Sequence, residues 1–199
     1  MVGPGKLMSA QTKHTAINLL ESQLHDSGNL SPVVSDALAA AHVLADQYEI
    51  ILYVAGALTG VALADKQRYE LVARTATAIR GERSLFAYVP HMHGTDPVVH
   101  PDITPAEVRT IDFLASAVIA DAQLNFTYPL AHGNAIELAW AEAAGIPTWL
   151  IVPDTQHTSR LTRGMQNIAG TITYHDFAVD GIIQVTSLLR SLATGSATS

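Results

Sequence analysis

The sequence contains no cysteine. That absence excludes a disulfide scaffold, a thiolate nucleophile and any zinc site built on cysteine. Charge is also scarce. Only 15% of residues are charged, and 11 Lys plus Arg face 18 Asp plus Glu, for a net charge of -7. No basic run occurs, which disfavours a nucleic-acid backbone as partner. An acidic chain can still carry a local cationic pocket, so anionic small molecules stay open as ligands. No apolar run reaches the ~20 residues that a membrane-crossing helix needs. Residues 1–6 lead into a polar stretch and not into a signal-peptide core. These absences predict a cytoplasmic protein with neither a membrane nor a nucleic-acid partner.

What is present is a globular composition. Hydrophobic residues make up 48% of 199 residues, enough for one domain with a proper core. Residues 14–26 read as an amphipathic helix with Ile17, Leu20 and Leu24 on one face. Ser27-Gly28-Asn29 breaks it, and Ser31-Pro32 opens a second helix carrying Val34, Leu38, Ala41 and Ala45. Residues 1–48 therefore form a helical N-terminal arm, for packing or for dimerisation.

After residue 48 the texture changes. Residues 50–55 are an unbroken apolar run, the mark of a strand buried on both faces. Helices are predicted over 64–80, 104–116, 135–144 and 178–192. Strands are predicted over 84–89, 118–126, 148–152 and 171–174. Thr104, Pro105 and Glu107 spell a capping box, and Gly145 ends the helix over 135–144. Alternating strands and helices imply a flavodoxin-like or Rossmann-like three-layer α/β sandwich over 49–193, with a frayed tail over 194–199. Ligands of such sheets sit outside the carboxyl ends of the strands.

Four segments could carry chemistry. Gly56-Ala57-Leu58-Thr59-Gly60 follows the first strand but matches neither a dinucleotide fingerprint nor a phosphate loop. Its glycines either admit a ligand or simply make a tight turn. His91-Met92-His93 follows the second strand. It is similar to metal-binding pairs in hydrolases, yet a polar loop lining a pocket explains it as well. Asp112 falls in a helix and Asp121 in the third-strand region, where bonding to neighbouring backbone is the plainer role. Last comes Gly133-Asn134-Ala135-Ile136-Glu137, opening a helix that ends before Gly145-Ile146-Pro147. Glu137 sits among apolar residues, where a carboxylate carries a desolvation cost. It is either a helix-end group or a reactive one.

In order and spacing, Tyr53, Gly56, Asp112, Asp121, Gly133, Glu137 and Gly145-Ile146-Pro147 resemble the nucleoside 2-deoxyribosyltransferase-like superfamily, which includes nucleotide N-glycoside hydrolases. The likeness spans about residues 50–153. It implies an enzyme that cleaves or transfers the N-glycosidic bond of a (deoxy)nucleoside or nucleotide and needs no cofactor. Glu137 would be the nucleophile, Tyr53 its holder, and Asp112 the acid that helps protonate the departing base. Gly56, His91, His93, His132, Gly133 and Asn134 would contact substrate, and a homo-oligomer is implied. The chain departs from the pattern at Ala131, where transferases carry Asp and nucleotide hydrolases carry Ser. Ser159 and Arg160 are then the candidates for holding a phosphate. The aromatic residue that transferases lend across a subunit interface is not evident. Two other readings stand beside this one: a nucleotide-derivative sensor without turnover, and a metal-dependent hydrolase using His91 and His93.

Overall fold

The computed structural model describes residues 7–58, 61–96, 98–129 and 131–195. The tail expected over 194–199 lies beyond these after Gly195, as do residues 1–6, and Thr59 and Gly60 of the glycine turn.

Two helices come first, α1 (Ala10–Asp26) and α2 (Pro32–Gln47). Each opens on a serine whose hydroxyl accepts a backbone N–H, Ser9 from Thr12 and Ser31 from Val34. Strand β1 (Ile50–Ala55) leads through α3 (Leu63–Ala78) to β2 (Leu85–Tyr88), and a short 3-10 turn Pro90–Met92 follows. Then come α4 (Pro105–Phe113), β3 (Ala122–Phe126), α5 (His132–Ala144) and β4 (Thr148–Pro153). A four-residue α6 (Arg160–Arg163), which the sequence reading had not placed, precedes β5 (Ile168–Tyr174) and α7 (Ile182–Thr194). The five strands are all parallel, in the order β2-β1-β3-β4-β5. This is the flavodoxin-like order, and its switch point lies between β1 and β3.

All six residues of β1 are buried because both faces of the sheet are covered. Ile50, Leu52 and Val54 meet Tyr69 and Val72 of α3 and Val185, Leu188 and Leu189 of α7. Ile51 faces the other way, onto Ile17 of α1 and Val34 and Leu38 of α2. Tyr53 and Ala55 share that second face with Tyr88, Ala115 and Ala141. The N-terminal helices thus complete a layer over the domain's own sheet. Lys13 of α1 is buried there and donates to Asp121 Oδ2 at 2.6 Å. The same carboxylate accepts from the Ile51 and Met8 amides, at 2.9 and 3.0 Å. Asp121 is therefore a structural group, as its plainer reading held.

The third strand begins later than residue 118. The chain after α4 winds into a π-helical turn, Leu114–Val118, and regular pairing resumes only at Ala122. Of the predicted strand only Val118 belongs to that turn, and Ile119 and Ala120 are buried between the turn and the first paired residues. A second π turn, Phe177–Gly181, likewise occupies the start of the predicted closing helix.

Candidate active site

Tyr53 projects from the carboxyl half of β1 at the switch point and is fully buried. Its hydroxyl donates to Glu137 Oε1 at 2.9 Å. Glu137 is the sixth residue of α5, and its other oxygen, Oε2, is buried without a hydrogen-bond partner. Asp112 is the next-to-last residue of α4, immediately before the π turn, and its Oδ1 is likewise buried and unpartnered. π turns recur at functional sites because they shift helical side chains out of regular phase.

The electrostatics follow from burial. It pushes the Glu137 carboxyl up to about 8, with the nearby Asp112 adding to the rise and the Tyr53 hydroxyl opposing it. Burial pushes Asp112 up to about 7, opposed by the Thr95 hydroxyl. The Tyr53 phenol is held well above its ordinary value, first by burial and then by Glu137 and Asp112. Two neighbouring acids of this kind do not readily ionise together, so near neutrality they hold a proton between them. The Tyr53 O–H favours the charged form at Glu137, against burial and the nearby Asp112. One carboxylate and one carboxylic acid in a buried site are the components of nucleophilic attack assisted by an acid.

Other residues singled out from the sequence have varied places. Gly56 packs on the Tyr69 ring, and a Cβ there would lie 2.2 Å from Tyr69 Cζ. Asn134 is buried, its Nδ2 donating to the Phe126 carbonyl at 2.7 Å, so it ties α5 to β3. His132 and Gly133 are exposed at the start of α5, whose N-cap Ala131 supplies no side-chain bond. The helix thus starts at His132, three residues before the predicted start at 135.

The two loop histidines diverge. The His91 ring packs edge-on to Tyr69, with Nε2 at 3.3 Å from Glu70 Oε1. The His93 ring stacks on Tyr88, with Nδ1 at 2.8 Å from the Val89 carbonyl oxygen. Among the described residues no group of three or more side chains is gathered to hold a metal ion. Ser159 caps α6, accepting from the Thr162 amide at 3.1 Å, and Arg160 is exposed beside it. No hydrogen bond or ion pair among the described residues joins either to the Glu137 pair.

Sequence reasoning missed Tyr88. Its ring stacks on Tyr53 at 5.9 Å, and it is Tyr53's partner in the β1–β2 register. That parallel pairing was the signal that could have found it.

The fold and the buried acids define a flavodoxin-like α/β protein with Tyr53, Glu137 and the Oδ1 atom of Asp112 buried near its switch point. No family model matches the sequence, and no curated protein matches it. Among solved structures, the chain is similar to the CMP N-glycosidase BcmB of Clostridium botulinum. The identity is 17% and the TM-score 0.50, over 69% of this chain and 98% of that one. It is also similar to a conserved protein of Enterococcus faecalis V583, with 14% identity and a TM-score of 0.46, over 73% and 88% of the two chains. The first likeness shows a common fold. No helix among the described residues is long and apolar enough to cross a membrane.

Proposed function

We propose that the protein cleaves the N-glycosidic bond of a nucleoside or nucleotide through a covalent glycosyl-enzyme. The observation that carries this reading is the buried Tyr53–Glu137 hydrogen bond, which leaves Glu137 Oε2 free of protein partners. In the proposed step the ionised Glu137 attacks the anomeric carbon. The C–N bond breaks with its electron pair going to the base, and Asp112 delivers the proton that the departing base takes up. A glycosyl ester on Glu137 remains. Water or a second base then takes the sugar, with Asp112 accepting the proton of the incoming group. The fold likeness to an N-glycosidase supports the reading, as does the resemblance in motif order.

The test is incubation of purified protein with deoxynucleosides and nucleoside monophosphates, CMP included, with and without a free acceptor base. Chromatography follows the products. Free base without acceptor means hydrolysis, and a new nucleoside only with acceptor means transfer. Glu137→Gln must abolish either while staying folded. Binding of these compounds without any turnover would overturn the enzyme reading in favour of a sensor.

A further inference from the structure

The O–H bond of a tyrosine lies in the plane of its ring, because the hydroxyl oxygen conjugates with the ring. A tyrosine therefore donates in one of two in-plane directions, and the tilt of the ring about its long axis sets both. Tyr53 donates to Glu137 Oε1 at 2.9 Å. Whatever fixes the plane of the Tyr53 ring also fixes the aim of that bond.

Tyr53 belongs to a column of three near-parallel rings. Tyr88 sits beside it in the β1–β2 register, with ring centroids 5.9 Å apart and planes turned by 16°. The His93 ring lies on Tyr88 at 4.8 Å, turned by 28°. Stacks at such separations are worth about 0.5–1.5 kcal/mol beyond the area they bury. The outer end of the column is itself pinned. His93 Nδ1 lies 3.0 Å from the Val89 amide nitrogen and 2.8 Å from the Val89 carbonyl oxygen, so either tautomer finds a partner on that one residue. Phe86 meets the same imidazole edge-on at 5.2 Å. The Tyr88 hydroxyl reaches the His93 carbonyl at 3.4 Å, a long bond, so the ring of Tyr88 matters here more than its O–H.

We propose that Tyr88, backed by His93, is a positioning residue: the stacked column sets the plane of the Tyr53 ring and so aims the Tyr53 hydroxyl at Glu137 Oε1. Without the column the ring is free to tilt and carry its O–H out of line with the carboxylate, and hydrogen bonds weaken steeply as they bend. The consequence for catalysis rests on the glycosidic reading above, whereas the link from column to carboxylate does not.

The experiment is carboxyl-carbon NMR titration of full-length protein labelled at glutamate, with the Glu137 resonance identified by its loss in Glu137→Gln. Removing the donor in Tyr53→Phe raises the Glu137 midpoint by roughly one unit. Tyr88→Leu, which removes the ring, moves it the same way and adds nothing further in the Tyr53→Phe background. Tyr88→Phe, which keeps the ring, stays at the wild-type value. A general loosening of the core would instead add in full to Tyr53→Phe. His93 is only half-buried, so His93→Leu and His93→Phe decide the matter if Tyr88→Leu does not fold. The leucine raises the midpoint and the phenylalanine does not. An unmoved midpoint in folded Tyr88→Leu, full additivity with Tyr53→Phe, or equal midpoints in the two His93 variants overturns the proposal. If nucleosides are turned over, Tyr88→Leu lowers kcat several-fold with little change in KM, and Tyr88→Phe does not. A moved midpoint with no turnover of any compound would sink the glycosidase reading and leave the column standing.

Discussion

Tyr53 and Glu137 stand 84 positions apart in the chain and meet through a single buried hydrogen bond of 2.9 Å. The contact unites β1 with α5, and it is charge-assisted when Glu137 is ionised. Such bonds are worth about 1.5–3 kcal/mol. Tyr53→Phe keeps the ring stacked on Tyr88 and removes only the donor. We expect kcat on a nucleoside substrate to fall by about 10- to 100-fold with KM little changed. Steady-state kinetics read this directly, and a KM effect of the same size would assign Tyr53 to ground-state binding instead.

The raised acids make a prediction about pH. Glu137 and Asp112 have ordinary values of 4.5 and 3.8, and burial lifts them to about 8 and about 7. The folded protein therefore binds more protons than the unfolded chain between these limits. Their contribution to stability is fully present below about pH 4 and is lost progressively up to about pH 8. Glu137→Gln and Asp112→Asn should each flatten that decline, by an amount on the order of a few kcal/mol at pH 8. Urea unfolding at pH 5 and pH 8 tests the sign, and a wild type more stable at pH 8 than these variants would contradict it.

Gly56 and Gly133 should respond in opposite ways to the same change. A Cβ at Gly56 runs into the Tyr69 ring, so Gly56→Ala should cost about 1–3 kcal/mol of stability. At Gly133 a Cβ would meet nothing within 4 Å, and the residue lies in the first turn of α5. Gly133→Ala should leave stability unchanged or raise it by up to about 1 kcal/mol. If substrate comes close to this turn, the same variant weakens binding in calorimetry while its melting temperature holds. Unimpaired binding removes Gly133 from the list of ligand contacts.

Lys13 and Asp121 form an ion pair wholly removed from water. Breaking such a pair from one side strands the other charge, at a cost of about 3–5 kcal/mol. Lys13→Met should reach that range in chemical denaturation. Lys13→Met combined with Asp121→Asn should recover part of it, because the asparagine carbonyl can still accept from the Ile51 amide. A loss below about 1 kcal/mol in the single variant would show the pair to be incidental.

The sheet was legible in the sequence chiefly where a parallel strand is a short apolar run between turn residues, as residues 50–55 show. The start of β3 was not, since Val118, Ile119 and Ala120 are apolar whether they pair in a sheet or sit between a π turn and the sheet. Local periodicity does not separate the two. Tyr53, Asp112 and Glu137 were legible as an ordered set, and the fold brings all three together. Gly56 and Asn134 owe their residue types to packing and to the tie with β3, interactions that a linear reading cannot distinguish from ligand contacts.

The distance along the chain from Lys13 to Asp121 also has a meaning in time. The two are 108 residues apart. At about 5–20 residues per second, a ribosome needs roughly 5 to 20 s to deliver the second after the first. Through that interval the apolar stripe of Ile17, Val34 and Leu38 lacks Leu114 and Ile119, the residues that later close over it. These two helices are thus made well before the neighbours that close over them. A nascent chain stalled anywhere before residue 121 would display a sticky, half-covered surface to whatever chaperones are at hand.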